Sequence, residues 1–208
     1  MPTIETLSAF FLASALLAMA PGPDNVFVLT QSALYGRLSG LVVMFGLCTG
    51  LLVHTAAVAF GVAVIFQASA LAFSLLKVIG AGYLLYLAWQ MFRASPERVD
   101  IHGNQPKSLG TLYRRGIVMN VTNPKVSIFF LAFLPQFTDP QLGSISLQMI
   151  VLGGIFIVAT VLVFGTVAMI GGLLGAWLNR SPRGQRIINR IAGGVFLGLA
   201  IKLVTTER

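Results

Sequence analysis

The chain carries a helix-breaking cluster, Pro21-Gly22-Pro23-Asp24-Asn25, in the middle of a long apolar stretch. Residues 6–30 contain one ionisable side chain, that of Asp24. Because proline lacks an N–H and clashes with the carbonyl four residues back, the cluster predicts a break that frees the carbonyls of Leu17 and Met19. Within a bilayer such groups are tolerated only where protein or a watery cavity satisfies them, and an ionisable residue there indicates a functional site. The alternative is a kinked helix whose second half is capped by Asp24 near the interface.

The composition is that of a polytopic membrane protein. Of 208 residues, 56% are hydrophobic and 10% are charged, and the mean hydropathy is +0.87, a balance that soluble domains seldom approach. A spanning helix needs about 20 apolar residues. The sequence predicts six spans, at residues 7–31, 40–66, 71–92, 116–137, 146–178 and 187–205. In the alternative, five spans cross the membrane and the last segment lies at the membrane interface.

The net charge of +8 indicates topology rather than nucleic-acid binding, because the basic residues lie mostly between the predicted spans. The first, third and fifth connections hold one, five and four lysines and arginines, if Arg190 at the start of the sixth span is counted with the fifth connection, and the second and fourth hold none. Positive residues favour the cytoplasmic side. Both termini are therefore predicted to face away from the cytoplasm.

An internal repeat relates the two halves of the chain. Residues 77–84 (KVIGAGYL) and 190–197 (RIAGGVFL) share basic, glycine, aromatic and leucine positions. The first span breaks at Pro23 and the fourth at Asn123-Pro124-Lys125. Since three spans per half is an odd number, the second half enters the membrane in the opposite direction.

The predicted fold is therefore an all-α membrane protein of six transmembrane helices, built as two inverted three-helix repeats with proline-broken first and fourth helices. Residues 1–92 and 116–208 form the repeats, and residues 93–115 form a basic cytoplasmic connection. Paired interruptions of this kind point to a substrate site between the halves.

The two breaks supply opposite charges, Asp24 and Lys125. Lys125 and exposed N–H groups suit a substrate carboxylate, and Asp24 suits an ammonium group. The structural alternative is a buried ion pair between Asp24 and Lys125 that locks one conformation. Asn120, Asn123 and Ser127 share a helix face because they follow at spacings of three and four. The predicted substrate-binding residues are Asp24, Asn25, Asn120, Asn123, Lys125 and Ser127.

Two residues are candidates for proton coupling, Asp24 and His54. A lone histidine in a membrane span is either a hydrogen-bonded structural group or a proton carrier. Small residues four apart allow helices to approach closely, and they occur in the second span and just before it. These residues are Gly36, Gly40, Gly46 and Gly50.

The sequence disfavours an enzyme, because it has no Gly-x-Ser-x-Gly or His-Glu-x-x-His motif and no second carboxylate beside Asp24. An ATP-binding loop is also absent, and no cofactor or metal is predicted. Metal export calls for clustered ligands, whereas the spans offer only Asp24, His54 and Cys48. Export of cations or other small metabolites, and a non-transporting membrane subunit, are the alternatives to amino-acid export.

These motifs resemble the lysine exporter superfamily (LysE), and within it the homoserine and threonine exporter (RhtB) branch. The resemblance rests on residues 21–25, the glycines that follow, and residues 123–125 leading into the phenylalanine-rich segment 129–137, and it covers essentially the whole chain. It implies a bacterial inner-membrane exporter of amino acids or their derivatives, working as a proton antiporter in contact with lipid. A homo-oligomer is compatible with this reading. In many members the sequence at the first break resembles Pro-Gly-Pro-Asn, whereas this chain has Asp24 in place of the asparagine.

Overall fold

The computed structural model describes residues 2–62, 70–96 and 108–205, and the regular secondary structure within these ranges is helical. The first predicted span consists of two helices, α1 (Ile4–Met19) and α2 (Pro23–Tyr35), which meet at an angle of 63°. Pro23 occupies the first turn of α2, where a missing N–H is harmless. The predicted break in the first span is therefore confirmed.

The remaining helices follow the order of the predicted spans. They are α3 (Arg37–Ala57), α4 (Ala70–Arg93), α5 (Leu109–Val121), α6 (Pro124–Ile128), α7 (Ile145–Arg180) and α8 (Pro182–Thr205). A π-helical turn, Val58–Val62, extends α3, and π-helical and 3₁₀ turns, Phe129–Phe133 and Leu134–Phe137, extend α6. A short 3₁₀ turn, Pro140–Leu142, precedes α7.

Among the described residues, four helices are long and apolar enough to cross a membrane singly: α3, α4, α7 and α8. Two bent pairs, α1 with α2 and α5 with α6 and its extension, pass the same test together, the second pair bending by 48°. The number of spans is six if each bent pair is one span, as the sequence predicts. The 36 residues of α7 form one continuous helix.

Two helices begin earlier in the chain than predicted, because the prediction placed the ends of the spans at basic residues. Helix α5 already begins at Leu109, inside the predicted connection 93–115, and α8 begins at Pro182 rather than at residue 187. Long basic side chains can extend from a helix toward polar surroundings, so they do not end it. Residues 97–107 of the connection lie outside the described residues.

Glycines set the close approach of the helices, as the sequence indicates. A Cβ added to Gly116 would lie 3.0 Å from the Cα of Gly46, which brings α3 and α5 into backbone contact. A Cβ added to Gly40 would lie 3.0 Å from the Cβ of Ala168 on α7. Gly36 has another role, because its φ of 85° makes the turn between α2 and α3, a conformation that suits glycine.

Aromatic side chains around α6 form the centre of the core. The ring of Phe129 lies 5.8 Å from that of Phe10 on α1, 4.7 Å from that of Phe133 and 5.4 Å from that of Phe156 on α7. These contacts bring α1, α6 and α7 together. The two helix breaks consequently face each other beside this core.

Candidate functional site

Lys125, at the second break, satisfies carbonyls that the first break frees. Its Nζ donates hydrogen bonds to the carbonyl oxygens of Leu17 and Ala20, at 3.3 and 3.1 Å. The Nδ2 of Asn25 donates to the carbonyl of Ala18 at 2.6 Å. These carbonyls end α1, where the helix dipole is negative and a cation is stabilised. The freed carbonyl expected at Leu17 is present, and its partner comes from the other half of the chain.

Asp24 is held in turn by the second break. The Nδ2 of Asn123 donates a hydrogen bond of 2.9 Å to Asp24 Oδ2. The Oδ1 of Asn123 accepts a bond of 3.0 Å from the backbone N–H of Lys125 and so caps α6. Asp24 is 2% exposed and Lys125 is 7% exposed. Each break therefore supplies the polar partners of the other.

The charges of Asp24 and Lys125 attract one another, but the hydrogen bonds described for them run to other groups. Asp24 Oδ2 is bonded to Asn123, and Lys125 Nζ is bonded to backbone carbonyls. Within the described part of the chain, Asp24 and Lys125 form no direct ion pair of the kind considered from the sequence; Asn123 links the Asp24 carboxylate to the backbone N–H of Lys125 and not to its ammonium group. A Cβ added to Gly22 would lie 3.1 Å from Lys125 Nζ, so glycine at the break makes room for the lysine.

A small cavity lies between the breaks, with a volume of about 10 Å³. This is close to the lower limit for a single water molecule. The cavity is therefore too small for a whole amino acid, which enters only if helices move. The cavity is lined by Leu17, Ala18, Asp24, Asn120, Lys125, Val126, Phe156, Thr160 and Phe164.

Three residues that line this cavity each carry a buried oxygen with no hydrogen-bond partner among the described residues: Asp24 Oδ1, Asn120 Oδ1 and Thr160 Oγ1. Asn120 and Thr160 are each 2% exposed. Sequence reasoning missed Thr160, which lies on α7. The available signal was that it is the sole polar side chain in the apolar run 149–165.

The other predicted residues surround the cavity without lining it. The Nε2 of His54 lies 3.2 Å from the carbonyl oxygen of Asn120, and its ring lies 5.5 Å from that of Phe130. The hydroxyl of Ser127 donates to the carbonyl of Asn123 in its own helix, at 3.1 Å. The structure thus brings Asp24, Asn120 and Lys125 to one cavity with Asn123 beside it, and leaves His54, Asn25 and Ser127 in the surrounding layer.

Gly50 of α3 makes room for Asn120. A Cβ added to Gly50 would lie 2.7 Å from both the Cβ and the Oδ1 of Asn120. The glycine that the sequence indicates as a packing position therefore also sets the place of a polar residue of the site. In the part of the chain that the structure describes, no three His, Cys, Asp or Glu residues are grouped as metal ligands would be.

Comparison with known proteins gives a consistent result. The sequence model of the LysE type translocator family matches residues 15–207. Homoserine/homoserine lactone efflux proteins of Salmonella typhimurium and Salmonella typhi are 35% and 34% identical over 196 residues, which is 94% of this chain and of each relative. An uncharacterized membrane protein of Vibrio cholerae is 32% identical over 205 residues, 98% of both chains. No solved structure matches.

Proposed function

The chain belongs to the LysE type translocator family, and we propose that it is a secondary exporter of small amino acids or their derivatives, driven by the proton gradient of a bacterial inner membrane. The observation that carries this proposal is the buried polar site where the two broken spans meet. Discontinuous helices present helix ends and free backbone groups to substrates and coupling ions. Asp24 and Lys125 supply both charges of such a site at low exposure.

The proposed substrates are homoserine-like amino acids and their lactones. Two relatives with about one third sequence identity are named for the efflux of homoserine and homoserine lactone. Both compounds carry a primary amine, which Asp24 is suited to bind through its buried carboxylate. For Lys125 to bind a substrate carboxylate, its hydrogen bonds to Leu17 and Ala20 have to open.

The proposed architecture is the pair of inverted repeats with both termini outside the cytoplasm. The packing of the helices supports it, because α3 packs on α5 as α7 packs on α1 and α2. In the proposed repeat α3 corresponds to α7, and α4 corresponds to α8. Each of these helices also packs against its own counterpart, as a two-fold relation between the halves requires. Alternating access would then be a movement of one half against the other around the site.

Asp24 is the proposed coupling group, because a proton and a substrate ammonium compete for the same carboxylate. The site releases substrate on one side when Asp24 takes up a proton, and releases the proton when substrate binds on the other side. Such competition at a single acid is the simplest form of antiport. His54, which contacts the backbone of Asn120, is the second candidate for the coupling group.

The test measures homoserine accumulation in reconstituted vesicles, with and without an imposed pH gradient. We expect the wild-type protein to concentrate homoserine when the gradient is imposed. Asp24→Asn keeps the shape of the side chain but removes its titration, so it is expected to exchange homoserine without responding to the gradient. Asp139→Asn is the matched control, because Asp139 is an exposed acid that does not line the cavity.

Two results would contradict the proposal at different points. If Asp24→Asn still concentrates homoserine in response to the gradient, the coupling group lies elsewhere and His54 is tested next. If the wild-type vesicles move neither homoserine nor its lactone, and cells overproducing the protein release no additional amino acid, the export function itself is wrong. A non-transporting subunit would then be the better reading.

A further inference from the structure

We infer that the cavity between the two helix breaks is a binding site for one primary ammonium group, and that Thr160 is its third ligand beside Asp24 and Asn120. The inference rests on the proposed export function and specifies which part of the substrate the closed site holds. Its substrate class is the compounds with an unsubstituted primary amine, including amino acids, their esters and their lactones.

Unsatisfied oxygens are concentrated at this cavity. Buried polar groups in proteins are nearly always hydrogen-bonded, and each one left without a partner destabilises the folded state. Six buried side-chain oxygens of the described residues have no partner, and three of them belong to residues that line this one cavity. They are Asp24 Oδ1, Asn120 Oδ1 and Thr160 Oγ1. A ligand that donates hydrogen bonds resolves this local cost.

Charge distinguishes an ammonium group from water at these oxygens. Asp24 Oδ1 and Asn120 Oδ1 accept hydrogen bonds, and the Thr160 hydroxyl can accept one as well as donate one. A water molecule can satisfy all three, by donating to Asp24 and Asn120 and accepting from Thr160, but it brings no charge. An ammonium group has three N–H donors for the same oxygens and places a positive charge beside the Asp24 carboxylate. A substrate carboxylate in the same space would be repelled by Asp24.

The size of the cavity also suits an ammonium group. The cavity volume of about 10 Å³ is close to that needed for one water-sized group, which an ammonium head matches. Most of the other lining side chains are apolar, including Phe156 and Phe164. The carboxylate or lactone ring of a substrate therefore lies beyond this cavity, in space that opens when the helices move. Recognition then depends strongly on the free amine and weakly on the acyl part.

Lys125 does not fill this role from within the protein. Lys125 is one of the residues that line the cavity, but its ammonium group donates to the carbonyls of Leu17 and Ala20 at the end of α1. Two of its three donors are thereby directed at the helix break. The cation that satisfies Asp24, Asn120 and Thr160 is supplied by the substrate.

The experiment compares three probes on the purified full-length protein by calorimetry: homoserine, homoserine lactone and N-acetylhomoserine. The first two carry a free amine, whereas acetylation removes its charge and most of its donors. We expect homoserine and its lactone to bind within about tenfold of each other, and N-acetylhomoserine to bind at least about tenfold more weakly, as the loss of a charged hydrogen-bond donor predicts.

Variants of Thr160 separate recognition from folding. Thr160→Val keeps the shape and removes an oxygen that has no partner in the protein, so the unliganded variant should melt at or above the wild-type temperature. Its affinity for homoserine should fall about tenfold, the effect of one hydrogen bond to a charged group. Thr160→Ser should retain the affinity. Thr166→Val, on the same helix, is the control, because that exposed hydroxyl bonds to the carbonyl of Leu162.

The inference is overturned if N-acetylhomoserine binds as tightly as homoserine, or if Thr160→Val binds homoserine with wild-type affinity. If this happens while wild-type vesicles transport homoserine, the export function stands and only the ammonium site is wrong. If the wild-type protein neither binds nor transports homoserine or its lactone, the export function fails, and the ammonium site that rests on it fails as well.

Discussion

Replacing Lys125 by methionine tests whether this residue holds the two broken spans together. Lys125→Met keeps a side chain of similar length and removes the donors that reach the carbonyls of Leu17 and Ala20. Both acceptor residues are at most 2% exposed, so water does not easily replace the lysine. Each carbonyl left without a partner costs about 1–3 kcal/mol. Because the variant also avoids burying a cation, we expect a net destabilisation of about 2–4 kcal/mol.

The assay is thermal unfolding of the purified protein in detergent, together with homoserine export. A loss of this size corresponds to a fall in melting temperature of roughly 5–15 °C for a chain of this length. Lys202→Met is the control, because Lys202 lies in another span with its Nζ 4.3 Å from the centre of the Phe137 ring. An interaction of that kind contributes about 0.5–2 kcal/mol, so the control should melt closer to the wild type and retain export.

Two outcomes would refute this reasoning. If Lys125→Met melts at the wild-type temperature, the carbonyls at the end of α1 do not depend on the lysine. If the variant is destabilised but exports homoserine at the wild-type rate per folded molecule, Lys125 is a structural residue alone and the movement of the two breaks does not require its charge.

Two further predictions concern the packing and the topology. Gly50→Ala should reduce export several-fold in a protein that still inserts, because the added Cβ would displace Asn120. Gly154→Ala is the control and should retain export, because nothing lies within 4 Å of the added atom. Equal export by both variants would contradict the assigned role of Asn120. Reporter fusions should locate the segment 93–115 in the cytoplasm and the C-terminus outside, and a cytoplasmic C-terminus would favour five spans over the inverted repeat.

The break in the first span was predictable because its cause is local. Proline removes a donor at a known position, so the carbonyl of Leu17 was identified without a structure. The convergence of Asp24 and Lys125 was predictable for a related reason, since charges in an apolar span are tolerated only at a shared polar site. The packing roles of Gly40 and Gly46 also followed from their spacing.

The part of the site that the sequence did not predict depends on contacts between residues far apart in the chain. Thr160 lies in an apolar run in which a threonine commonly bonds to its own helix, as Thr166 does. Only the packing of α7 against the two breaks reveals that its hydroxyl has no such partner. Likewise, the sequence left a direct pair of Asp24 and Lys125 open as an alternative, and the position of Asn123 between the breaks, which is set by the capping of α6, could not be read from it.

The reciprocal bonding of the two breaks links binding to movement. Lys125 satisfies backbone groups of the first half, and Asn123 satisfies Asp24 of the same half, so the halves cannot separate without breaking both contacts. In a low-dielectric site such losses are large unless water or substrate replaces them. A substrate that satisfies Asp24 in the closed state lowers the free energy of that state, and a proton on Asp24 removes the charge that attracts the substrate. If Asp24 is the coupling group, as proposed, the same carboxylate determines both which state is stable and what is bound in it, which is the condition for coupling two fluxes at one site.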